Sequence, residues 1–110
     1  MWWYAVKALP SKLVPGEGYV QCEIVEATHI KIHIPGPFGY LYLPVIQGGT
    51  REGTGCWSWN GDVDKPTLKP SIKTTNNTDV CHTWVTDGKA FYHDDTTHEF
   101  KGQTLDLIDV

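Results

Sequence analysis

Val80-Cys81-His82-Thr83-Trp84-Val85-Thr86-Asp87-Gly88-Lys89-Ala90-Phe91-Tyr92-His93 reads as a β-hairpin. An Asp-Gly pair between two runs rich in β-branched and aromatic residues is the strongest short-range hairpin signal, because both turn positions need positive φ. Counting back from Asp87-Gly88 pairs Thr86 with Lys89, Val85 with Ala90, Trp84 with Phe91, Thr83 with Tyr92 and His82 with His93. Directly opposed side chains share a face, so His82, Trp84, Phe91 and His93 lie on one side. Cys81, Thr83, Val85, Ala90 and Tyr92 lie on the other, and the pattern alone leaves open which side is inward.

The same period of two recurs upstream. Val20, Cys22 and Ile24 alternate with Gln21 and Glu23, and Ile30, Ile32 and Ile34 alternate with His29, Lys31 and His33. The two runs are expected to be antiparallel neighbours joined by Val25 to Thr28. Pro35-Gly36-Pro37 stops the second run, Phe38 to Leu43 forms another, and a Gly-rich loop follows from Gln47 to Gly55. No window of ten residues keeps helical periodicity, which leaves a single helical turn from Asp95 to Lys101, capped by Asp94 or Asp95 and closed by Gly102. A last strand is expected at Thr104 to Ile108. The predicted fold is mainly β: a compact antiparallel sheet of six to eight strands, arranged as a partly open barrel or a sandwich. Its core draws on Trp3, Val20, Ile24, Ile30, Ile32, Leu41, Trp57, Trp59, Leu68, Trp84 or Val85, Leu105 and Leu107.

With 110 residues, 40% of them hydrophobic and 20% charged, the chain suits one folded domain spanning 1–110. Nine basic against thirteen acidic residues give a net charge of −4, and the basic ones are scattered, which disfavours a nucleic-acid partner. No apolar run reaches the length of a membrane span and the start lacks a signal-like charged region, so no membrane association is expected. Three widely spaced cysteines, Cys22, Cys56 and Cys81, suit a reducing compartment.

Two further blocks carry a resemblance. Gly55-Cys56-Trp57-Ser58-Trp59-Asn60-Gly61-Asp62 through Pro66-Thr67-Leu68-Lys69-Pro70-Ser71-Ile72 is the first, and Cys81-His82 through Asp95-Thr96-Thr97-His98 and Gly102-Gln103-Thr104-Leu105 is the second. Together they resemble a family of small phage and prophage proteins often labelled "ammonia monooxygenase". The resemblance implies a zinc-ribbon-like site, with Cys22 matching the first cysteine of a Cys-x-x-Cys knuckle. Val25 stands where the second would be, and Thr96 replaces a further cysteine. It also implies a phage setting, in the host cytoplasm or the virion.

The chemistry-bearing residues support several readings. Cys22, Cys81, His82 and His98 are the candidate metal ligands, with zinc the possible ion, although Cys81 and His82 point to opposite faces of a regular strand. His82, His93 and His98 form an alternative three-histidine cluster. His29 and His33, about 13 Å apart along one strand, cannot share an ion and read as solvated. Trp57 and Trp59, with Asn60 and Asp62 in the following turn, offer an aromatic platform for a sugar or partner, weighed against plain core packing. Asp95 and His98 suit an orienting group and a base, with Cys81 as a thiol nucleophile, but no spacing fixes that geometry. The leading expectation is therefore a non-enzymatic accessory protein without a cofactor, binding a host or defence protein through residues such as Trp57, Trp59, Asn60, Asp62, Asp95 and His98. A metal-dependent enzyme or zinc-stabilised module is the first alternative, and a carbohydrate-binding or virion-surface module the second.

Overall fold

The computed structural model describes residues 6–47 and 55–110. Nine strands form one mainly antiparallel sheet: β1 Leu9–Val14, β2 Gly18–Gln21, β3 His29–His33, β4 Tyr40–Gln47, β5 Trp57–Trp59, β6 Leu68–Thr75, β7 Val80–Thr86, β8 Lys89–Tyr92 and β9 Thr104–Asp106. Their order across the sheet is β2-β1-β3-β4-β5-β6-β7-β8-β9, with β4 and β5 the parallel pair. The expectation of a mainly β fold holds. The sheet is not closed into a barrel, but it curls until the segment after β9 reaches the end of β3 and the residues before β1. Beyond β9, Ile108 N–H donates to His33 O at 2.9 Å, and Val110 N–H donates to Val6 O at 2.8 Å.

The hairpin forms in the register set by its turn, with Thr86 opposite Lys89 and Thr83 opposite Tyr92. Asp87 and Gly88 take φ of 50° and 76°, the conformation that Asp-Gly supplies most readily. Cys81, Thr83, Val85, Ala90 and Tyr92 face inward and are buried, whereas Trp84 and Phe91 are 56% and 37% exposed. Val85, not Trp84, is thus the core residue of the pair. Ile30, Ile32, Leu43, Val45, Trp59, Leu68, Ile72 and Leu107 complete the core.

Other expectations shift. The run from Val20 to Ile24 is cut at Gln21, and Ile24–Glu26 becomes a 3-10 turn in which Ile24 is 36% exposed. Strands β2 and β3 are not neighbours, because β1 pairs with both of them. Residues 95–101 form turns instead of a helix. Leu41, Trp57 and Leu105 pack at the margin of the core, and Val20 is half-buried. Trp3 and most of the Gly-rich loop lie outside the described residues.

Trp59 is fully buried and its indole N–H donates to Asp62 O at 3.2 Å. Trp59→Ala should cost about 3–5 kcal/mol of stability in urea unfolding. A loss under 1 kcal/mol, about the cost of an ordinary surface substitution, would show that this indole is not part of the core.

Candidate functional site

The site begins at an irregularity in β6. Leu68 pairs with Val85 and Ile72 with Thr83, so the step from 68 to 72 on β6 faces only two residues on β7. The surplus falls on Lys69-Pro70-Ser71, where a proline, unable to donate to a ladder, is tolerated at a bulge. Leu68 and Ile72, each 2% exposed, anchor the segment inward. Ser71 is left on the outer surface, and its carbonyl accepts from the Trp57 indole N–H at 3.3 Å. The bulge therefore aims a hydroxyl at the neighbouring strand.

That strand presents His82 on the same outer surface, opposite Lys73 in the ladder. Ser71 Oγ lies 2.9 Å from His82 Nε2. On the far side of the ring, His82 Nδ1 lies 2.9 Å from Asp95 Oδ1 and 3.1 Å from Oδ2. The partners fix the tautomer: Nδ1–H donates to the carboxylate, and the free Nε2 accepts the serine hydroxyl. Asp95 is brought in by the turn after β8. Thr96 Oγ1, 2% exposed, accepts from His82 N–H and donates to His82 O, both at 3.2 Å. Thr97 N–H donates to Val80 O at 2.9 Å. These bonds fasten the turn to the start of β7.

The His82 hydrogen bond, and after it Lys73 with its ammonium 3.3 Å from Oδ2, holds the Asp95 carboxyl below the usual carboxylate range. The sign follows: the contribution is present above the ordinary carboxylate value of about 4 and is lost only as pH falls through the lower folded value. At neutral pH the carboxylate is charged and able to stabilise positive charge on His82. Nucleophile, base and orienting acid thus stand in line, each within hydrogen-bond reach of the next.

The model of one protein family, described as bacterial ubiquitination-like system serine protease (BubE), matches residues 5–92. The chain belongs to the BubE family. No curated protein and no solved structure matches it. Ser71 and His82 fall inside the stretch matched by BubE, and Asp95 lies three residues beyond it. A family described as a protease overturns the expectation of a non-enzymatic binding protein.

Among the described residues, one group could hold a metal: His82, His93 and Asp95. The two rings are stacked, with centroids 3.8 Å apart and planes within 11°. An ion about 2.0–2.1 Å from a nitrogen of each would lie between the planes, away from both in-plane lone pairs. The arrangement as it stands suits stacking and not chelation.

The four expected zinc ligands, Cys22, Cys81, His82 and His98, do not converge. Cys22 follows edge strand β2, with its N–H donating to Pro10 O, and borders a cleft with Lys12 and Val63. Cys81 points into the core, while His82 points outward. His98 is not the partner of Asp95. Its ring lies beside Gly36 on the inner side, where a Cβ on that glycine would meet His98 at 3.3 Å and Cys81 Sγ at 3.9 Å. Trp59 is buried in the core, and Trp57 is half-buried against it with its indole N–H bonded to Ser71 O. Asn60 and Asp62 shape the turn, with Asn60 Oδ1 accepting from Thr67 N–H and Asp62 Oδ1 from Asp64 and Lys65 N–H.

Ser71 is the residue that sequence reasoning missed. No Gly-x-Ser-x-Gly elbow surrounds it, and only the register of β6 against β7 across the bulge brings it to His82. Pro70-Ser71, followed by a strand histidine on the polar side of the alternation, is the available hint.

Burial pushes the Cys81 thiol up to about 11, which keeps it protonated and unreactive at neutral pH. In native protein at about pH 8, near the ordinary thiol value, a thiol reagent should leave Cys81 unmodified until denaturant is added. Rapid native labelling of Cys81, with loss of hydrolytic activity, would restore it as the nucleophile in place of Ser71.

Proposed function

We propose that this chain is a serine hydrolase of the protease class, with Ser71 as nucleophile, His82 as general base and acid, and Asp95 as the orienting carboxylate. The observation that carries the reading is the unbroken line from Ser71 Oγ through both His82 nitrogens to Asp95. The family description supports the same class. In the acylation step Ser71 Oγ attacks the substrate carbonyl carbon while His82 Nε2 takes the hydroxyl proton. The proton then passes to the leaving group as its bond to the carbonyl breaks. In deacylation water attacks the ester on Ser71, with His82 again accepting and returning a proton. Asp95 keeps the imidazole in the productive tautomer and stabilises the imidazolium through both steps.

The family description supports protein partners. A serine protease of a ubiquitination-like system acts on polypeptides joined or processed by that system, so its partners are proteins. The open position of the triad suits a macromolecular substrate: the Asp95 side chain is 46% exposed and His82 19%. A polypeptide laid across β6 and β7 covers those groups and excludes the water that weakens their electrostatics. Among the described residues no helix is long and apolar enough to cross a membrane.

A fluorophosphonate probe should label Ser71, identified by peptide mass after digestion, and Ser71→Ala should abolish both labelling and hydrolysis of p-nitrophenyl acetate. Asp95→Asn should lower kcat by about 10²-fold or more, less than the roughly 10⁴ seen where the triad carboxylate is buried, because Asp95 faces solvent. Hydrolysis by Ser71→Ala at the wild-type rate, or a probe adduct at another residue, would overturn the assignment.

A further inference from the structure

We propose that His93 is a positioning residue of this triad, whose ring holds His82 in line between Ser71 and Asp95 and faces the positive charge that forms on it. The proposal rests on the serine-hydrolase reading and deepens it. Two hydrogen bonds, one at Nε2 and one at Nδ1, fix two atoms of the His82 ring. They leave the ring free to rock about the line joining those atoms, and the histidine χ2 torsion is too broad to stop it. A flat group against the ring face removes that freedom. His93 supplies it, stacked at 3.8 Å between centroids and 11° between planes.

The stack is itself supported. Trp84 packs on the His93 ring with centroids 3.9 Å apart and planes at 52°. His93 N–H donates to His82 O at 2.8 Å, and Thr96 N–H donates to His93 O at 3.1 Å, so the backbones of the two histidines are joined. The same turn carries Asp95. One short segment therefore supplies both the carboxylate behind the base and the ring beside it.

His93 must stay neutral for this role, since a second cation stacked on His82 would oppose its protonation. His93 Nε2 is buried without a hydrogen-bond partner. A protonated ring would carry an N–H at that position with nothing to accept it, whereas a neutral ring can leave the nitrogen bare. Burial first, and then His82, moves His93 below the ordinary histidine value, against the opposing pull of Asp95 and Asp94. Lys73 reaches the other side of Asp95 from β6. A neutral aromatic face against a forming imidazolium is attractive in the manner of a cation–π contact.

Three variants, His93→Ala, His93→Phe and Ser71→Ala, separate this proposal from the reading beneath it. Steady-state hydrolysis of p-nitrophenyl acetate is one readout. The low-field proton resonance of His82 Nδ1–H, bonded to Asp95, is the other, and it needs no turnover. His93→Ala should lower kcat about tenfold or more, with KM changed less than about twofold, as expected for a geometric loss at the base. His93→Phe, which keeps a flat face, should recover most of that loss. The low-field proton should be sharp in wild type, Ser71→Ala and His93→Phe, and broadened or missing in His93→Ala. Should His93→Ala fail to fold, His93→Leu fills the space without an aromatic face and carries the same expectation.

Wild-type kcat and a sharp low-field proton in His93→Ala would overturn the positioning role. Equal loss in the Ala and Phe variants, with unchanged thermal unfolding, would also overturn it, since a nitrogen would then matter and not the stack. Were Ser71→Ala to hydrolyse the ester at the wild-type rate, the hydrolase reading would fall by itself, and the proton resonance would still decide whether His93 fixes His82.

Discussion

Strand β7 is held from both sides at once, and the fold and the site both depend on that double grip. On one edge it pairs with β6, on the other with β8. Its alternation sends Cys81, Thr83 and Val85 into the core and leaves His82 and Trp84 on the outer surface. The inward residues set the register, because a slip by one position would expose Val85 and bury Trp84. Register fixed by the core therefore fixes the position of a base that the core never touches. A catalytic group on a strand interior is held more tightly than one on a loop, which matters when geometry must hold within a fraction of an ångström.

The nucleophile and the acid come from less regular pieces on either side. Ser71 sits in a bulge whose two ends, Leu68 and Ile72, are pinned in the core. Asp95 sits in a turn fastened by Thr96 and Thr97 to the start of β7. In both cases a departure from regular pairing re-aims a side chain at His82, which is the use to which bulges near active sites are commonly put. Thr96 has a further consequence. Its hydroxyl bridges the N–H and carbonyl of His82, so the turn that carries Asp95 is tied to the backbone of the histidine it faces.

Legibility in the sequence follows the range of the forces involved. The hairpin from Val80 to His93 was readable because Asp87-Gly88 sets its register locally, and with it came the pairing of His82 with His93. The alternation of Ile30 and Ile32 likewise revealed a strand with one buried face. Three things were not readable. The insertion of β1 between β2 and β3 depends on partners far apart in sequence, which periodicity does not encode. The inward face of the hairpin depends on what the rest of the sheet covers. Ser71 reaches His82 only through a two-residue surplus in the β6–β7 register, and no local pattern announces such a surplus. The sequence offers Asp95 and His98 as neighbours on one turn, whereas in the structure the Asp95 carboxylate lies against His82. The turn reverses direction, so Asp95 returns to β7 while His98 passes to the inner side beside Gly36.

An exposed triad raises the question of how its electrostatics work in water. In a dry site the attraction between imidazolium and carboxylate is strong, and at the surface it is screened. Here several groups divide the task. The His82 hydrogen bond, and after it Lys73, favours the ionised form of Asp95, and Lys73 also competes for one of its oxygens, leaving Oδ1 as the nearer acceptor for His82. A flat aromatic stack on one side of the imidazole excludes water from that face without adding charge. Ser71 and the solvent-facing edge of Asp95 are then the parts left for a substrate to cover. A small ester covers little of that surface, whereas a polypeptide lying along the sheet covers much of it. On the proposed hydrolase reading, a bound polypeptide lowers the local dielectric at the moment charge develops, so that part of its binding energy appears as rate and not as affinity.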